Sequence, residues 1–307
     1  MRDLLLEHRL ELIAHAGRAF DGVNLDAVVL IARRGAAPRS HRVRVAFGVP
    51  PERESVLPQA VFAELPGHRF NIHLTEPALA VLRRLAPLPL LGDRFEIHEG
   101  VHTGNARGKL IARESGPARE PIVIGRKELS RHRLAWGGAW IDLAPDRLDR
   151  AAGDYANLGR PAWHRAAKIV VRRTGDHVVA ARDPDGIWIT NNAFVVVPRA
   201  AMDAAALAAH VALLNSRFMT WYFRTQVPRV GRLFAELKIE HLAAFPLPDC
   251  PPATLVERLG APGLALERAA AAGRRESAAE RAVDDAVAAM YELDESTRRL
   301  IGGATSD

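Results

Sequence analysis

The sequence predicts an α+β fold, in which a domain of mixed strands is followed by a helical region and preceded by a partial α/β sheet segment. Short β-branched segments bounded by Gly, Pro, Asn or Asp recur in the middle of the chain, as is typical of mixed sheets. From residue 250 onward the apolar residues follow helical spacing instead. We therefore expect three regions, residues 1–48, 60–249 and 250–307.

The N-terminal region, residues 1–48, reads as a helix followed by strands. The segment RDLLLEH suits a helix, and LELIAHA suits a short strand. The near-continuous apolar run LDAVVLIARR is typical of a strand buried on both faces. The region is too short for a domain of its own, and we expect it to be the edge of an α/β sheet.

The central and C-terminal regions carry most of the predicted elements. Leu79, Leu82 and Leu85 have near-helical spacing after the plausible helix start Glu76-Pro77. Helical periodicity returns in MDAAALAAHVALLNSRFMTWYFRTQ and again in the last region, around Val283 and Val287. Between the first two helices, the predicted strands are DRFEIHEG, EPIVIGRK, AWIDLAP, AKIVVRRTG, HVVAARD, GIWITNN and AFVVVPR.

The composition excludes several classes of protein. The 307 residues are 48% hydrophobic, which is enough for a substantial core. A single cysteine, Cys250, excludes a disulfide framework and a cysteine-rich zinc site. No apolar run approaches the ~20 residues that span a bilayer, and the charged N-terminus lacks a signal-peptide core. We expect a cytoplasmic protein with no membrane partner.

The positive charge is concentrated in one segment. The chain has a net charge of +6, and Ile122 to Gly175 contains eleven Lys and Arg against five Asp and Glu. A basic surplus in one stretch is expected of a surface that binds a polyanion. An arginine-rich composition with a solvated basic face is the alternative.

Residues 98–102, HEGVH, match the H-E-x-x-H pattern of zinc hydrolases. That chemistry needs a helix, which places both histidines on one metal. Gly100 and Gly104 each cost a helix about 1 kcal/mol relative to Ala. The preceding RFEI alternates like a strand, and TGNARG is turn chemistry. We therefore expect a strand that ends in a polar loop, with a metallohydrolase using His98 and His102 as an alternative.

Other catalytic patterns are missing from the sequence. It contains no G-x-x-x-x-G-K-[ST] loop, no G-x-G-x-x-G turn and no G-x-S-x-G elbow. Val49 and Glu52 flank Pro50-Pro51, so this pair is not the Asn/Asp-Pro-Pro-aromatic loop of amino-methylating DNA enzymes. We predict no catalytic residue, no cofactor-binding residue and no metal ligand in this chain.

The order of several motifs resembles a known family. GVHTGN is followed by PIVIGRKEL, WIDL, ITNNAFVVV, ALLNSRFMTWYF and LKIEHLAAFPLPD. Over about residues 60–301 the chain resembles the TaqI-like C-terminal specificity domain of adenine-specific DNA methyltransferases and of related fused restriction-modification enzymes. The turn, the LLNS helix and the IxxLxxFPLP ending are the most specific elements.

The resemblance implies a target-recognition domain at residues 60–249, a C-terminal helical region, and a remnant of the methyltransferase sheet at residues 1–48. The family's cofactor and catalytic loops lie upstream of everything present here. The complete system would use S-adenosylmethionine, which an upstream domain or a partner methyltransferase chain would hold, with no cofactor in this chain.

The resemblance also implies that the TGN turn faces double-stranded DNA. Gly104 allows a positive φ or close backbone approach, Asn105 suits an adenine edge, Arg107 suits guanine, and Lys109 suits a phosphate. A plain solvated hairpin is the alternative. The full set of predicted DNA-binding residues is Thr103, Gly104, Asn105, Arg107, Lys109, Arg126, Lys127, Lys168, Arg172 and Arg173.

The last five of these residues belong to the basic segment. Arg126 and Lys127 follow the strand PIVI, where phosphate contacts are plausible. Lys168, Arg172 and Arg173 flank IVV, and an edge strand protected by charge explains them equally well. The sequence thus favours a DNA-recognition module, with a metallohydrolase or a non-catalytic interaction remnant as alternatives.

Overall fold

The computed structural model describes residues 1–20, 22, 26–48, 50–227 and 236–305. The fold is α+β, as predicted, and the chain divides into two compact units between Leu82 and Arg83. The sequence placed the start of the recognition domain at residue 60 instead. Within the described residues, no helix is both long and apolar enough to cross a membrane.

The first unit is built on a mixed sheet. Its four described strands lie in the order β2-β1-β3-β4, in which β1 and β3 run parallel and the other neighbours antiparallel. The elements are α1 (Arg2–Leu6), β1 (Arg9–Gly17), β2 (Ala27–Arg33), β3 (Arg42–Phe47), β4 (Arg53–Pro58), α2 (Ala60–Glu64), a 3-10 turn (Pro66–His68) and α3 (Glu76–Leu85), which runs three residues past the boundary.

A buried glutamine fixes the start of β1. Gln59 is 5% exposed, and its side-chain oxygen accepts from the backbone N–H of Leu10 at 2.9 Å. Its amide nitrogen donates to the carbonyl of His8 at 2.7 Å. Since a buried amide must have its hydrogen bonds satisfied, this side chain holds α2 against the α1–β1 connection. Leu10 itself is fully buried in the core of the unit.

The prediction that β2 is buried was wrong. Within the described residues this strand has one neighbour, β1, and Val28, Val29 and Ile31 are 56%, 49% and 50% exposed. A strand is buried on both faces only where other elements cover both faces and neighbours pair with both edges. β2 has the composition of an interior strand in the position of an edge strand.

The second unit contains two larger sheets and a short hairpin, counted over its described residues. The sheet orders are β12-β11-β14-β5 and β13-β7-β10-β6, and β8 pairs with β9. All seven predicted strands are confirmed here. The strands are β5 (Phe95–Glu99), β6 (Ile111–Ala112), β7 (Arg119–Val123), β8 (Leu129–Ser130), β9 (Arg133–Leu134), β10 (Trp140–Asp142), β11 (Lys168–Arg172), β12 (Ala180–Asp183), β13 (Trp188–Ile189) and β14 (Ala193–Pro198).

Helices cover the second unit and form its C-terminal part, as predicted. Val283 and Val287 are buried on the predicted stripe. Besides 3-10 turns at Arg126–Glu128 and Pro145–Arg147, the helices are α4 (Leu91–Arg94), α5 (Arg107–Leu110), α6 (Pro161–Arg165), α7 (Ala204–Leu214), α8 (Arg217–Gln226), α9 (Ile239–Ala243), α10 (Pro252–Ala271), α11 (Ser277–Met290) and α12 (Glu295–Thr305).

The long helical segment around LLNS is two helices. Ser216 caps α8, and its hydroxyl accepts from the backbone N–H of Met219 at 3.2 Å, which favours a new helix start at this position. The side chain of Asn215 exchanges two hydrogen bonds with the backbone of Ala180, at 2.9 and 2.8 Å. The break between α7 and α8 is therefore fixed to the sheet at β12.

A buried ion pair lies at the end of β11. Lys168 is 0% exposed, and its ammonium bonds to the carboxylate of Asp183 at 2.5 Å and to the carbonyl of His164. Asp183 also accepts from the backbone of Asp185 and Ile187. The prediction that Lys168 contacts DNA was wrong, because β11 is an interior strand and Lys168 faces its cross-strand partner inside the unit.

We expect Lys168→Met to reduce the free energy of unfolding by about 3–5 kcal/mol, because the substitution leaves the Asp183 carboxylate buried without a counter-charge. Urea denaturation followed by circular dichroism measures this loss. Lys127→Met, at an exposed lysine, is the matched control and should change stability by less than about 0.5 kcal/mol. Equal midpoints for the two variants would contradict the structural role of the pair.

Candidate nucleic-acid interface

The HEGVH segment is extended, as predicted. β5 ends at Glu99, and a Cβ atom on Gly100 would lie 2.3 Å from the carbonyl oxygen of Thr190, so only glycine fits. Val101 then donates to the carbonyl of Ile189 at 2.7 Å. The backbone therefore passes from one sheet to the next at Gly100, with no helix for a zinc motif.

The two histidines of this segment contact different aromatic side chains. His98 stacks on Trp163 with the ring centroids 3.6 Å apart, and His102 meets Tyr155 edge-on at 5.8 Å. Desolvation lowers the pKa of His98, so its imidazole is neutral near pH 7. No group of three or more His, Cys, Asp or Glu residues in the described chain is placed to hold a metal ion.

Beyond Gly100, two loops are joined into one structure, which we call the paired loops (residues 102–110 and 149–157). His102 and Asn157 exchange two backbone hydrogen bonds of 2.8 Å each. The amide nitrogen of Asn105 donates to the carbonyl of Gly153 at 3.1 Å, and its oxygen accepts from the N–H of Tyr155 at 2.7 Å. The TGN turn is thus attached to a loop that lies far away in the sequence.

These contacts change the predicted roles of Gly104 and Asn105. Gly104 has a φ of +52°, and a Cβ there would lie 2.0 Å from the carbonyl oxygen of Tyr155. The predicted positive φ and close approach are confirmed, although the approach is to this chain's own backbone. The amide of Asn105 joins the loops, where the sequence predicted a contact with adenine. Thr103 is half-buried and accepts a backbone bond from Ala106.

The paired loops have a small apolar core of their own. Ala106, Leu110 and Ala156 are at most 4% exposed and pack together, with Leu148 and Leu158 at the margin of this cluster. The one-turn helix α5 presents Leu110 inward, while Arg107 and Lys109 are exposed. Because the buried side chains fix the backbone, the exposed side chains Arg107 and Lys109 project from a backbone of defined conformation.

The outer surface of the paired loops carries positive charge and an aromatic ring. Arg107 is exposed and makes no ion pair with any described residue. Lys109 bonds to Asp154 at 2.5 Å and holds the pKa of that carboxyl below its usual range. Arg150 is exposed and donates to the carbonyl of Ala156 at 3.1 Å. Tyr155 is 56% exposed beside them.

The predicted basic segment is dispersed by the fold. Lys127 is exposed on a turn that Glu128 holds by accepting from Ile124 and Gly125 at 3.0 and 2.7 Å. The side chain of Arg126 lies outside the described part of the structure. Of the five DNA contacts predicted in this segment, Lys127 is therefore the one that the structure shows on the surface without a carboxylate partner among the described residues.

The two other predicted arginines of the segment, Arg172 and Arg173, are engaged within the protein. Arg173 bonds to Glu236 at 2.7 Å and to Glu99 at 3.1 Å, so two carboxylates offset its charge. Arg172 is half-buried, and its guanidinium lies near Gly175. The excess of positive charge in this segment of the sequence is thus not concentrated on one surface, because the carboxylate partners of these side chains come from other parts of the chain.

Sequence reasoning missed Arg150 and Tyr155. The segment DRAAGDYANLG contains a signal that could have found them, since it mixes arginine, glycine and an aromatic residue in a predicted loop. It was missed because no local pattern links residues 149–157 to the TGN turn. Only the tertiary hydrogen bonds of Asn105 bring the two together.

We expect Asn105→Ala to expose the backbone N–H of Tyr155 to solvent exchange, because the variant removes its acceptor. Losing two bonds of about 1 kcal/mol each should accelerate exchange at this amide at least about fivefold. Hydrogen–deuterium exchange with fragment-level resolution measures the change. Arg107→Ala, which removes no bond between the loops, is the control, and equal exchange in both variants would refute the proposed role of Asn105.

Comparison with known proteins agrees with the predicted specificity domain. Residues 120–247 match the family model described as the TaqI-like C-terminal specificity domain, a narrower span than the expected 60–301. The chain carries this domain, although the match covers less than half of its length. A comparison with curated proteins gave no match.

The solved structures that are similar to this chain include two restriction enzymes. The Type IIL restriction-modification enzyme MmeI in complex with DNA has a TM-score of 0.56 at 9% identity, over 99% of this chain and 47% of that chain. At this identity the likeness concerns the fold alone. The type IIG restriction endonuclease BpuSI has a TM-score of 0.40 at 12% identity, over 95% of this chain and 44% of that chain. This TM-score is too low to support an argument. The chain spans about half the length of these proteins.

Proposed function

Because residues 120–247 form a TaqI-like C-terminal specificity domain, we propose that this chain is the DNA sequence-recognition module of an adenine-specific restriction-modification system. The domain match is the observation that carries the proposal. In this proposal the ligand is double-stranded DNA and the protein is cytoplasmic. The paired loops support the proposal, because they display cations and an exposed tyrosine on a backbone that their own core holds.

Within the paired loops we assign some residues to contact with DNA and others to holding the two loops together. Arg107 is exposed and without an ion pair among the described residues, and its planar guanidinium can bind the O6 and N7 atoms of guanine together. Arg150 and Lys109 would contact phosphates, which position the protein without reading sequence. Thr103, Gly104 and Asn105 hold the loops together. Lys127 is a further phosphate contact from its own turn.

The cation of Lys109 is available only in part. Its ammonium is half-exposed but already bonds to Asp154. A phosphate must therefore share or replace this carboxylate, which reduces the gain from the new contact. We expect Arg107 and Lys127, with no such competitor, to contribute more to DNA affinity than Lys109.

Methyl transfer, in this proposal, belongs to another part of the system. The residues of the first unit do not fit S-adenosylmethionine, since β1, β2 and β3 are each followed by another strand rather than by a glycine-rich turn and a helix. An upstream domain or a partner methyltransferase chain would hold the cofactor. The position of β2 supports this division, because among the described residues it pairs with β1 alone, and its other edge suits a further strand from that domain.

We expect Arg107→Ala to cost about 1–3 kcal/mol of binding to a selected DNA site and little on a scrambled duplex, because the lost contact reads a base. Lys127→Ala should weaken both duplexes alike and reduce the slope of log K against log salt by about one unit, since it removes one phosphate contact. Fluorescence anisotropy at several salt concentrations measures both effects.

The control for this series is Arg258→Ala. Arg258 is an exposed residue of α10, which contributes no residue to the paired loops. It should leave both affinities unchanged. If wild-type protein binds neither duplex, the recognition function is wrong. If Arg107→Ala weakens both duplexes equally, Arg107 contacts phosphate and the base-reading role is wrong.

We expect the purified chain to transfer no methyl group by itself, because the sequence contains neither the cofactor loop nor the catalytic loop. Incubation with radiolabelled S-adenosylmethionine and mixed-sequence duplex should leave the DNA unlabelled. A known adenine methyltransferase in the same buffer is the control for the assay. Labelled DNA in proportion to the concentration of this protein would overturn the proposed division of labour.

A further inference from the structure

A polar cavity of about 550 Å³ lies in the second unit, where the break between α7 and α8 faces the start of α11. Its volume is in the range of small-molecule sites. Its walls include Arg131, His132, Asn215, Ser216 and Arg281. The paired loops contribute no residue to it.

The charge of the cavity is positive. Among its lining residues, five arginines face three carboxylates, a surplus of two positive charges. Three of the arginines pair with those carboxylates: Arg217 with Asp284 at 3.2 Å, Arg275 with Glu280 at 2.8 Å, and Arg224 with Asp176 at 3.6 Å.

The surplus comes from Arg131 and Arg281. Neither has a carboxylate within 4.0 Å in the described chain. One guanidinium nitrogen of Arg131 donates to the carbonyl of Asn215, and desolvation lowers the pKa of this arginine. Arg131 is exposed at the mouth of the cavity, and a single carbonyl uses one of its five N–H donors, so the others remain available to a ligand.

His132 adds a second, independent observation. The residue is 7% exposed, and its Nδ1 atom is buried with no hydrogen-bond partner among the described residues. Burial lowers the pKa of His132 to about 3, so the ring is neutral at pH 7. Its φ of +63° is unusual for a residue other than glycine. Backbone strain of this kind clusters at ligand sites, although the Nδ1 atom itself is buried away from the cavity.

We propose that this cavity binds a phosphate group, carried either by a small free phosphate compound or by the DNA backbone. The surplus of two positive charges matches the charge of a phosphate dianion. Arg131 and Arg281 can each direct two parallel N–H donors at phosphate oxygens. Ser216 supplies a hydroxyl. The inference is independent of the proposed recognition of DNA by the paired loops.

Isothermal titration calorimetry of the full chain with inorganic phosphate, at constant ionic strength in chloride, tests the proposal. We expect saturable binding at one site. Arg281→Gln should weaken it by about 10- to 100-fold, as expected for the loss of a charge-assisted hydrogen bond. Arg258→Gln removes the same charge outside the cavity and should bind as wild type.

Competition then identifies the source of the phosphate. Displacement of phosphate by a nucleoside 5′-monophosphate, with no effect of duplex DNA, would support a small phosphate compound as the ligand. Displacement by duplex that is lost in Arg281→Gln would support the DNA backbone. Absence of saturable binding, or equal weakening by Arg281→Gln and Arg258→Gln, would overturn the proposal.

Discussion

The second unit depends on the passage of its backbone through Gly100. At this position the chain leaves β5 and pairs with residues 189–191 at the end of β13, so the two larger sheets are connected by consecutive hydrogen bonds. Any side chain would collide with the carbonyls of Ile189 and Thr190. The paired loops begin two residues later, and their position follows from this crossing. The glycine that disfavours a zinc-binding helix is thus the residue that permits the observed connection.

Cations in this protein serve two separate purposes. Lys168 and Arg173 compensate carboxylates within the protein and hold strands and loops in place. Arg107 and Lys127 are exposed and have no counter-charge among the described residues. A buried pair contributes little net stability but penalises every arrangement that separates its members, so the first group enforces one fold. Arg107 and Lys127 affect the free energy of unfolding little, and their charges are available to a polyanion.

Local patterns predicted the elements well and their environment poorly. The seven strands, the extended HEGVH segment and the C-terminal helices follow from residue spacing and from the glycines and prolines that bound them. The exposure of β2 did not, because an interior strand and an unpaired edge strand have the same local pattern. Lys168 was misassigned because its partner, Asp183, lies 15 residues away. The contacts of Asn105 with the backbone at Gly153 and Tyr155 could not be predicted, because these residues lie about 50 positions away.

The apolar core of the paired loops has an evolutionary consequence. Ala106, Leu110 and Ala156 keep the backbone in place together with Gly104 and Asn105, and none of these side chains needs to change when Arg107 or Arg150 is replaced. Selection on what the surface contacts is therefore largely uncoupled from selection on folding. A replacement of Arg107 can therefore alter what this surface contacts while the scaffold stays constant.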